Sequence, residues 1–265
     1  MDVILTAGGV PVSEDPLFSY TQGKPKALLE LGGKPMIQWT VDCLSAVKQV
    51  DTLVLVGLDD TVDVQFDGRL LRMESKDDMV SNIIAAAHLL LEKGNSSPQA
   101  LVMASDIPTV KPAMVEWLIE QVQGTTNEIT YTVVTKDVME ARFPGSHRSF
   151  IPLKDMQVCG GDVNAINIET IDYDNPIWRK LIDNRKNALK QAALLGLDTL
   201  LLILLRALTL KQLETRLSKR LGINGRVLVS PFAETAMDVD KPHQYEMIAA
   251  DFRFTEVIGA VRGRY

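Results

Sequence analysis

The feature that most constrains the fold is an alternation of short apolar runs with amphipathic helical patterns over residues 1–136. Compact β-rich runs predict buried strands, and apolar residues at helical spacing predict the helices between them. The predicted strands are Val3–Leu5, Leu53–Gly57, Leu101–Ala104 and Ile129–Thr135, and the predicted helices are Met36–Val47, Ser81–Leu91 and Ala113–Val122. Such repeats form parallel strands with right-handed crossovers. The sequence therefore predicts an α/β three-layer sandwich with a mostly parallel central sheet.

The second half of the chain has a different pattern. The stretch Pro176–Arg220 is almost wholly helical in pattern and carries many lysines and arginines. Further predicted elements are strands at Arg148–Leu153, Val163–Ile168 and Val227–Val229, and a last helix at Pro242–Ala250. Because no linker, repeat or low-complexity stretch separates these segments, we interpret residues 1–265 as a single domain with a helical insertion at about 172–222.

Charge and cysteine content narrow the function classes. With 28 basic and 34 acidic residues the net charge is −6, so the chain has no overall attraction for nucleic acid, and we expect no nucleic-acid partner. Cys43 and Cys159 have no second cysteine or histidine at metal-ligand spacing, which argues against a zinc site or a disulfide framework. Reduced cysteines and an N-terminus without a basic signal-peptide region favour a cytoplasmic protein.

One apolar stretch, residues 194–210, raises the question of membrane contact. Its longest uninterrupted apolar run, Leu200–Leu205, is far shorter than the ~20 residues needed to span a bilayer, so we expect no transmembrane segment. A buried or docking helix is the favoured interpretation. An interfacial helix in peripheral contact with a membrane is the alternative.

Two groups suited to ligand binding follow predicted strands. Thr6-Ala7-Gly8-Gly9 comes after the first strand, where glycines let backbone N–H groups approach a ligand. Asp106 comes after Leu101–Ala104, a position from which a carboxylate can hold a hard cation such as Mg²⁺. Each group also has a simpler explanation: the glycines could form an ordinary tight turn, and Asp106 could cap a turn or a helix. Because ligands bind beyond the carboxyl ends of parallel strands, both groups are expected at one edge of the sheet.

Three further groups could take part in such a site. Lys24 and Lys26 end a long polar loop and could neutralise a triphosphate, or be ordinary surface lysines. Asp238 and Asp240 are two residues apart, so in an extended segment both side chains face one side; Asp240 could also cap the helix near Pro242. The turn Gly160–Asn164 carries polar side chains suited to sugar hydroxyls, or is only a bulge or hairpin turn.

The combination of motifs resembles the nucleotidyltransferase superfamily. Leu5–Gly9, Gly23–Leu29 and Leu31–Ile37 are similar to its opening signature, and Asp106 in Asp-Ile-Pro and Asp240 in Asp-Val-Asp-Lys-Pro match its two metal positions. The superfamily includes sugar-1-phosphate nucleotidyltransferases, the molybdenum cofactor guanylyltransferase and the methylerythritol-phosphate cytidylyltransferase. The resemblance covers most of the chain and implies a Rossmann-like fold.

The resemblance also implies roles for particular residues. Catalysis would depend on Lys26, Asp106 and Asp240, of which the two aspartates would hold Mg²⁺ as the cofactor. The nucleotide would be bound by Thr6, Ala7, Gly8, Gly9, Lys24, Lys26, Ser81 and Asn82. The acceptor would be bound by Gly161, Asp162, Asn164 and Lys241. Ser81 or Asn82 could instead simply cap the helix that begins there.

The reaction implied is transfer of a nucleoside monophosphate from an NTP to a small phosphorylated, sugar-phosphate-like acceptor, with release of pyrophosphate. It needs positioning and charge neutralisation more than acid–base chemistry, so a shortage of histidines does not oppose it. A molybdopterin-type cofactor nucleotidyltransferase and a catalytically inactive nucleotide-binding regulatory module are alternatives. The absence of arginine between Gly9 and Lys26 favours the inactive module, and retention of both metal aspartates opposes it. The insertion, with Arg179, Lys180, Arg185, Lys186 and Lys190, could cover the acceptor or form a homodimer interface.

Overall fold

The fold is taken from a computed structural model that describes residues 1–76, 78–95, 97–171, 178 and 196–262, the last nine as backbone only. The strands are β1 (Asp2–Thr6), β2 (Glu30–Leu31), β3 (Lys34–Pro35), β4 (Thr52–Val56), β5 (Arg69–Met73), β6 (Gln99–Ala104), β7 (Ile129–Thr135), β8 (Ile151–Pro152), β9 (Gln157–Gly160), β10 (Val163–Asn167) and β11 (Gly225–Ser230). The helices are α1 (Phe18–Thr21), α2 (Met36–Ser45), α3 (Met79–Lys93), α4 (Pro112–Val122), α5 (Lys136–Arg142), α6 (Leu197–Leu204), α7 (Leu210–Leu221) and α8 (Pro242–Arg262). Short 3₁₀ helices lie at Lys26–Leu28 and Ala233–Ala236.

The described strands form a nine-stranded sheet and a separate β2–β3 pair. The sheet order is β5-β4-β1-β6-β10-β7-β9-β8, and β11 also pairs with β7. In this sheet β9 and β10 run opposite to all the other strands. The pairs β1–β4, β1–β6, β4–β5 and β7–β11 are parallel. The predicted mostly parallel α/β architecture is therefore confirmed.

Helices pack on both faces of the sheet. Successive side chains of a strand point to opposite faces, so neighbouring residues of a central strand join different core clusters. Val3 and Leu5 of β1 belong to a core cluster with α2 and α4, whereas Ile4 belongs to a second cluster with α3. All three side chains are fully buried, and each contributes about 1.5–3 kcal/mol of hydrophobic stabilisation. The central strands are thus fixed between two helical layers, and the carboxyl ends of β1 and β6 lie side by side.

Most predicted elements are present with shifted ends, and the missed ones have identifiable causes. The strand Ile129–Thr135 agrees residue for residue with β7. The predicted strand Arg148–Leu153 is only Ile151–Pro152, and the last helix continues beyond Ala250 to Arg262. The strand β5 was not predicted, because it lies at the sheet edge and contains two arginines that mask its apolar pattern.

The described part of the predicted insertion contains two helices. The Thr209 hydroxyl caps α7 by accepting from the Gln212 amide, and the Gln212 side-chain oxygen accepts from the Thr209 amide in return. Gly222 ends the helix in the left-handed conformation. Arg179, Lys180, Arg185, Lys186 and Lys190 lie outside the described residues. The single domain with an insertion at 172–222 stays a prediction.

The helix α6 falls within the apolar stretch 194–210, of which residues 194 and 195 are outside the described part. Leu202 and Ile203 pack against the cluster around Val133 and Leu153, so one side of the helix is docked as expected. The other side is open, with exposures of 77, 55, 76 and 65% for Leu197, Leu201, Leu204 and Leu205. Among the described helices, none is long and apolar enough to cross a membrane.

Candidate active site

The glycine turn after β1 lies at the centre of the carboxyl edge of the sheet. The Ala7 amide donates to the Val56 carbonyl at 2.8 Å, and the Ser105 amide donates to the Thr6 carbonyl at 3.0 Å, which ties the turn to β4 and to the end of β6. The two glycines serve different needs. A Cβ on Gly8 would lie 3.2 Å from the Gly57 Cα, whereas a Cβ on Gly9 would meet nothing within 4 Å. Gly8 is therefore needed for packing, and Gly9 borders open space.

A cleft of about 340 Å³ lies against this turn. Its volume is within the range of small-molecule sites. It brings together Thr6, Ala7, Gly8, Gly9, Lys26, Asn82 and Asp106, all of which the sequence had suggested, with Ser75, Lys76, Asp78 and Met79, which it had not. Ser75 and Lys76 follow the unpredicted strand β5, so no recognised pattern pointed to them. Lys76 adds a second cation to the cleft.

The start of α3 separates the roles of three polar side chains. Asp78 is the N-cap: its carboxylate accepts from the Ser81 amide at 3.0 Å and from the Ser81 hydroxyl at 2.7 Å. The suggestion that Ser81 or Asn82 caps this helix is therefore wrong, because the helix begins earlier, at Met79. Asn82 lines the cleft, and its side-chain oxygen accepts from the Lys76 amide at 2.6 Å. Nucleotide binding by Ser81 and Asn82 stays a prediction.

Lys26 connects the cleft to a group of acids. Its amide donates to the Gly9 carbonyl at 2.9 Å, and its Nζ lies 2.5 Å from both Asp106 Oδ2 and Asp240 Oδ1. Burial alone would lower the pKa of Lys26, but the two carboxylates outweigh burial and raise this pKa above its ordinary value. Lys26 is thus held as a cation. Lys24 is exposed and does not line the cleft, so its part in binding stays a prediction.

Three carboxylates converge beside Lys26. One oxygen each of Asp106, Asp238 and Asp240 lies within 4.8 Å of the others, and the Val239 amide donates to the Asp106 carbonyl at 3.0 Å, which fixes the two segments together. The second oxygen of Asp106 is buried without a hydrogen-bond partner. A buried, unsatisfied carboxylate oxygen is costly, and oxygen ligands are what Mg²⁺ prefers. The donor set therefore fits a hard divalent cation.

Arg148 and Asp162 lie next to the carboxylate cluster. Arg148 forms an ion pair with Asp238, and its Nη2 lies 3.9 Å from Asp162 Oδ2. Burial, with smaller contributions from Asp106 and Asp240, raises the pKa of Asp162 to about 7 against the opposing effect of Arg148. Sequence reasoning missed Arg148, whose only signal was a charged residue at the start of a strand-like run.

The Gly161-Asp162 turn is a bulge in an antiparallel ladder. Gly160 pairs with Val133 and Ala165 pairs with Thr130, so four residues oppose two on β7. Of the alternatives left open by the sequence, the bulge is correct and the hairpin is wrong. The Asp162 amide donates to Thr235 and its carbonyl accepts from Ala104, at 2.8 and 3.1 Å. The bulge therefore holds Asp162 at the end of β6.

The other predicted acceptor residues differ in exposure. The Asn164 side chain accepts from the Thr132 amide at 2.8 Å and donates to the Gly161 carbonyl at 3.0 Å, so it braces the bulge. Lys241 is exposed next to Asp240. Acceptor binding by Gly161, Asp162, Asn164 and Lys241 stays a prediction.

Comparison with known proteins places this chain in a family. The family model described as a MobA-like NTP transferase domain matches residues 4–217. A hypothetical transferase from Thermus thermophilus superposes with a TM-score of 0.76 at 26% identity, over 92% of this chain and 98% of that one. A search of curated protein sequences gave no significant match.

Two more distant solved structures share the fold. A CMP:2-keto-3-deoxy-manno-octonic acid synthetase complexed with CTP has a TM-score of 0.60 at 17% identity, over 96% of this chain and 99% of that one. A 4-diphosphocytidyl-2C-methyl-D-erythritol synthase from Anaerococcus prevotii has a TM-score of 0.58 at 13% identity, over 95% of both chains. The family match over most of the chain confirms the resemblance found in the sequence. The chain belongs to the family of MobA-like NTP transferase domains and is a nucleotidyltransferase.

Proposed function

We propose that the enzyme transfers a nucleoside monophosphate from an NTP to a small phosphorylated, sugar-like acceptor in a Mg²⁺-dependent reaction that releases pyrophosphate. The observation that carries the proposal is the position of Asp106. This residue lines the cleft formed by the glycine turn and also belongs to the three-carboxylate cluster. A nucleotide in the cleft would therefore have its phosphates beside the metal ligands.

The nucleotide would be held mainly by backbone groups and two lysines. The backbone of Ala7, Gly8 and Gly9 would bind base and ribose at the carboxyl edge of the sheet, as ligands do in open parallel sheets. Lys26 and Lys76 line the same cleft and would neutralise phosphate charge. These two lysines would supply local positive charge, so a protein of negative net charge could still bind a triphosphate.

Mg²⁺ would be held by Asp106 and Asp240, with Asp238 as a third nearby acid. When bound, the metal supplies positive charge that stabilises the α-phosphate in the transition state. The charge balance of the cluster supports this. Among the described residues, four aspartates including Asp162 form ion pairs with two cations, Lys26 and Arg148, so the cluster carries excess negative charge.

The transfer itself requires few proton movements. An oxygen of the acceptor phosphate forms a bond to the α-phosphorus while the bond from this phosphorus to the pyrophosphate oxygen breaks. The acceptor phosphate is already an anion, so no residue has to remove a proton from it. Lys26 would stay close to the leaving phosphates and stabilise their charge. Asp162 and the Gly161 bulge would position the acceptor on the far side of the carboxylate cluster.

The fold neighbours support a sugar-like acceptor, since one is a CMP:2-keto-3-deoxy-manno-octonic acid synthetase and another is a 4-diphosphocytidyl-2C-methyl-D-erythritol synthase. The matched family model instead favours a second candidate, a molybdopterin-type acceptor. Pyrophosphate release should be measured with each NTP, Mg²⁺ and a panel of sugar phosphates, with molybdopterin as a separate arm. Release that requires a sugar phosphate supports the first candidate, and release only with molybdopterin replaces it by the second.

Location and assembly belong to the same proposal. A cytoplasmic location, a homodimer and a peripheral membrane contact through residues 194–210 stay predictions. The exposed leucines of α6 are the feature that bears on the last two. Light scattering of the purified protein and its sedimentation with lipid vesicles would test assembly and membrane contact separately.

A further inference from the structure

We propose a second anion-binding site, for the phosphate group of a small molecule, in a cleft of about 350 Å³ beyond the end of β7. The cleft shares no residue with the nucleotide cleft or with the carboxylate cluster. Three cations line it, Lys136, Lys154 and Arg206, and they come from three separate segments of the chain.

Across the residues that the structure describes, none of the side chains of Lys136, Lys154 and Arg206 forms a salt bridge or a hydrogen bond. Two acids also line the cleft, Asp137 and Asp155, and the Asp155 carboxylate accepts from the Leu210 amide at 3.2 and 3.4 Å. The three cations outnumber the two carboxylates, so in a chain of net charge −6 this cleft keeps an excess of positive charge that a small anion would neutralise.

The backbone of Arg206 provides an independent argument. Arg206 follows α6 with a φ of 52°, in the left-handed region. Its amide donates to the Ile203 carbonyl, and the Ala207 amide donates to the Leu202 carbonyl, which closes a tight turn at the helix end. Glycine is favoured at such a position because a Cβ strains it. A strained residue at a helix end is explained when its side chain is needed, and this side chain lines the cleft.

The residue types favour phosphate over other small anions. A guanidinium donates two parallel hydrogen bonds to phosphate oxygens, and lysines add point charges around them. Free phosphate and a phosphomonoester share this chemistry, so both are candidates. Because the site does not include the catalytic residues, it should bind its anion without NTP and without a metal ion.

The test is the melting temperature of metal-free protein in EDTA, titrated with inorganic phosphate or with glycerol 3-phosphate. Sodium chloride at matched ionic strength corrects for screening. The expected result is a saturable rise, because a ligand that binds the folded state raises the melting temperature. A larger rise with glycerol 3-phosphate assigns the site to an ester, and an equal rise assigns it to the phosphate group alone.

Arg206→Gly is the most informative variant, because two opposite effects are expected. Without ligand it should melt higher than the wild type, since the left-handed strain is removed. With phosphate it should show less than half of the wild-type rise, as should Lys154→Ala. The exposed Lys48→Ala is the control that should keep the full rise, and Lys26→Ala tests whether the rise comes instead from phosphate bound in the nucleotide cleft.

Three outcomes would overturn the proposal. The first is a wild-type protein without a saturable rise. The second is a full rise in both Arg206→Gly and Lys154→Ala. The third is loss of the rise in Lys26→Ala alone, which would place the phosphate in the nucleotide cleft.

Discussion

Lys26 lies between Asp106 and Asp240, at hydrogen-bond distance from both carboxylates. Its ammonium and a divalent cation would compete for these oxygens when no nucleotide is present. Arrival of a triphosphate in the proposed site would give Lys26 another anionic partner and would free the carboxylates for the metal. At the residue scale, therefore, nucleotide binding and metal binding should depend on each other.

Lys26→Met tests this competition. The variant should bind Mn²⁺ or Mg²⁺ alone more tightly than the wild type, because the internal cation is gone, and should bind NTP more weakly. Calorimetric titration with metal alone and with nucleotide separates the two effects. Weaker binding of the metal alone in the variant would contradict the competition, and unchanged nucleotide affinity would show that Lys26 does not contact the triphosphate.

Asp106→Asn and Asp240→Asn test the metal ligands. Each variant keeps the shape of the side chain and the backbone bond from Val239 to Asp106, so the fold should persist. A catalytic metal supplies several kcal/mol of charge stabilisation, and each ~1.4 kcal/mol corresponds to a factor of ten in rate, so we expect turnover to fall about 100-fold or more. The measurement is pyrophosphate release together with circular dichroism. Wild-type rates in either variant would remove that aspartate from the metal site.

The raised pKa of Asp162 makes stability depend on pH. In an unfolded chain an Asp has a pKa of about 3.9, whereas burial raises the Asp162 pKa to about 7 in the folded state. The folded protein therefore holds this proton more tightly. The associated stability is fully present below about pH 4 and is lost as the pH rises towards 7.

Asp162→Asn removes this dependence, because an amide does not titrate. The melting temperature of the variant relative to the wild type should be higher at pH 8 than at pH 5, measured without metal or nucleotide. A difference that is the same at both pH values would contradict the raised pKa.

At the element scale, the bulge between β9 and β10 depends on glycine. A Cβ on Gly161 would lie 2.2 Å from Thr132 Oγ1, so Gly161→Ala must displace the Thr132 side chain, β7 or the bulge. Overpacking of this kind costs about 1–3 kcal/mol. Gly9→Ala is the matched control, because the added Cβ meets nothing within 4 Å, but it lines the nucleotide cleft.

The two glycine variants should therefore show opposite phenotypes in chemical denaturation and nucleotide titration. Gly161→Ala should lower the free energy of unfolding, and Gly9→Ala should leave it nearly unchanged while weakening NTP binding. Equal stability of the two variants would contradict the close packing at the bulge.

The sequence predicted elements with a strong local pattern. The strands β1, β4 and β6 contain compact apolar runs that are buried on both faces, and β7 is a run rich in β-branched residues that leaves Tyr131 exposed. All four strands were found. The strands β5 and β9 were missed, because one is a charged edge strand and the other is four residues long. Their existence depends on pairing with neighbours that are distant in sequence, which local pattern does not report.

The residues of the candidate site also divide into those that a local motif indicated and those that depend on distant contacts. Thr6–Gly9, Lys26 and Asp106 belong to short motifs next to predicted strands, and the structure brings them together. The contacts of Arg148 with Asp238 and Asp162 join segments far apart in the chain, so no spacing could indicate them. Sequence reasoning therefore found the residues around the glycine turn better than the contacts of Arg148.

At the scale of the whole molecule, the active site joins two parts of the chain across one sheet. The nucleotide cleft is built from segments that follow β1, β5 and β6, whereas Arg148, Asp162, Asp238 and Asp240 come from the second half. The pairing of β10 with β6 brings the two parts together. Asp106 and Lys26 stand at the junction, where an α-phosphate would have to meet its acceptor.

The most direct test of this arrangement is a thermal-shift screen of ATP, GTP, CTP, UTP and dTTP, each with and without Mg²⁺, on the wild type and Asp106→Asn. A ligand that binds only the folded state raises the melting temperature. We expect a clear Mg²⁺-dependent rise with one NTP in the wild type and loss of the Mg²⁺ dependence in the variant. No rise with any NTP at millimolar concentration would contradict the assignment of the cleft as the nucleotide site.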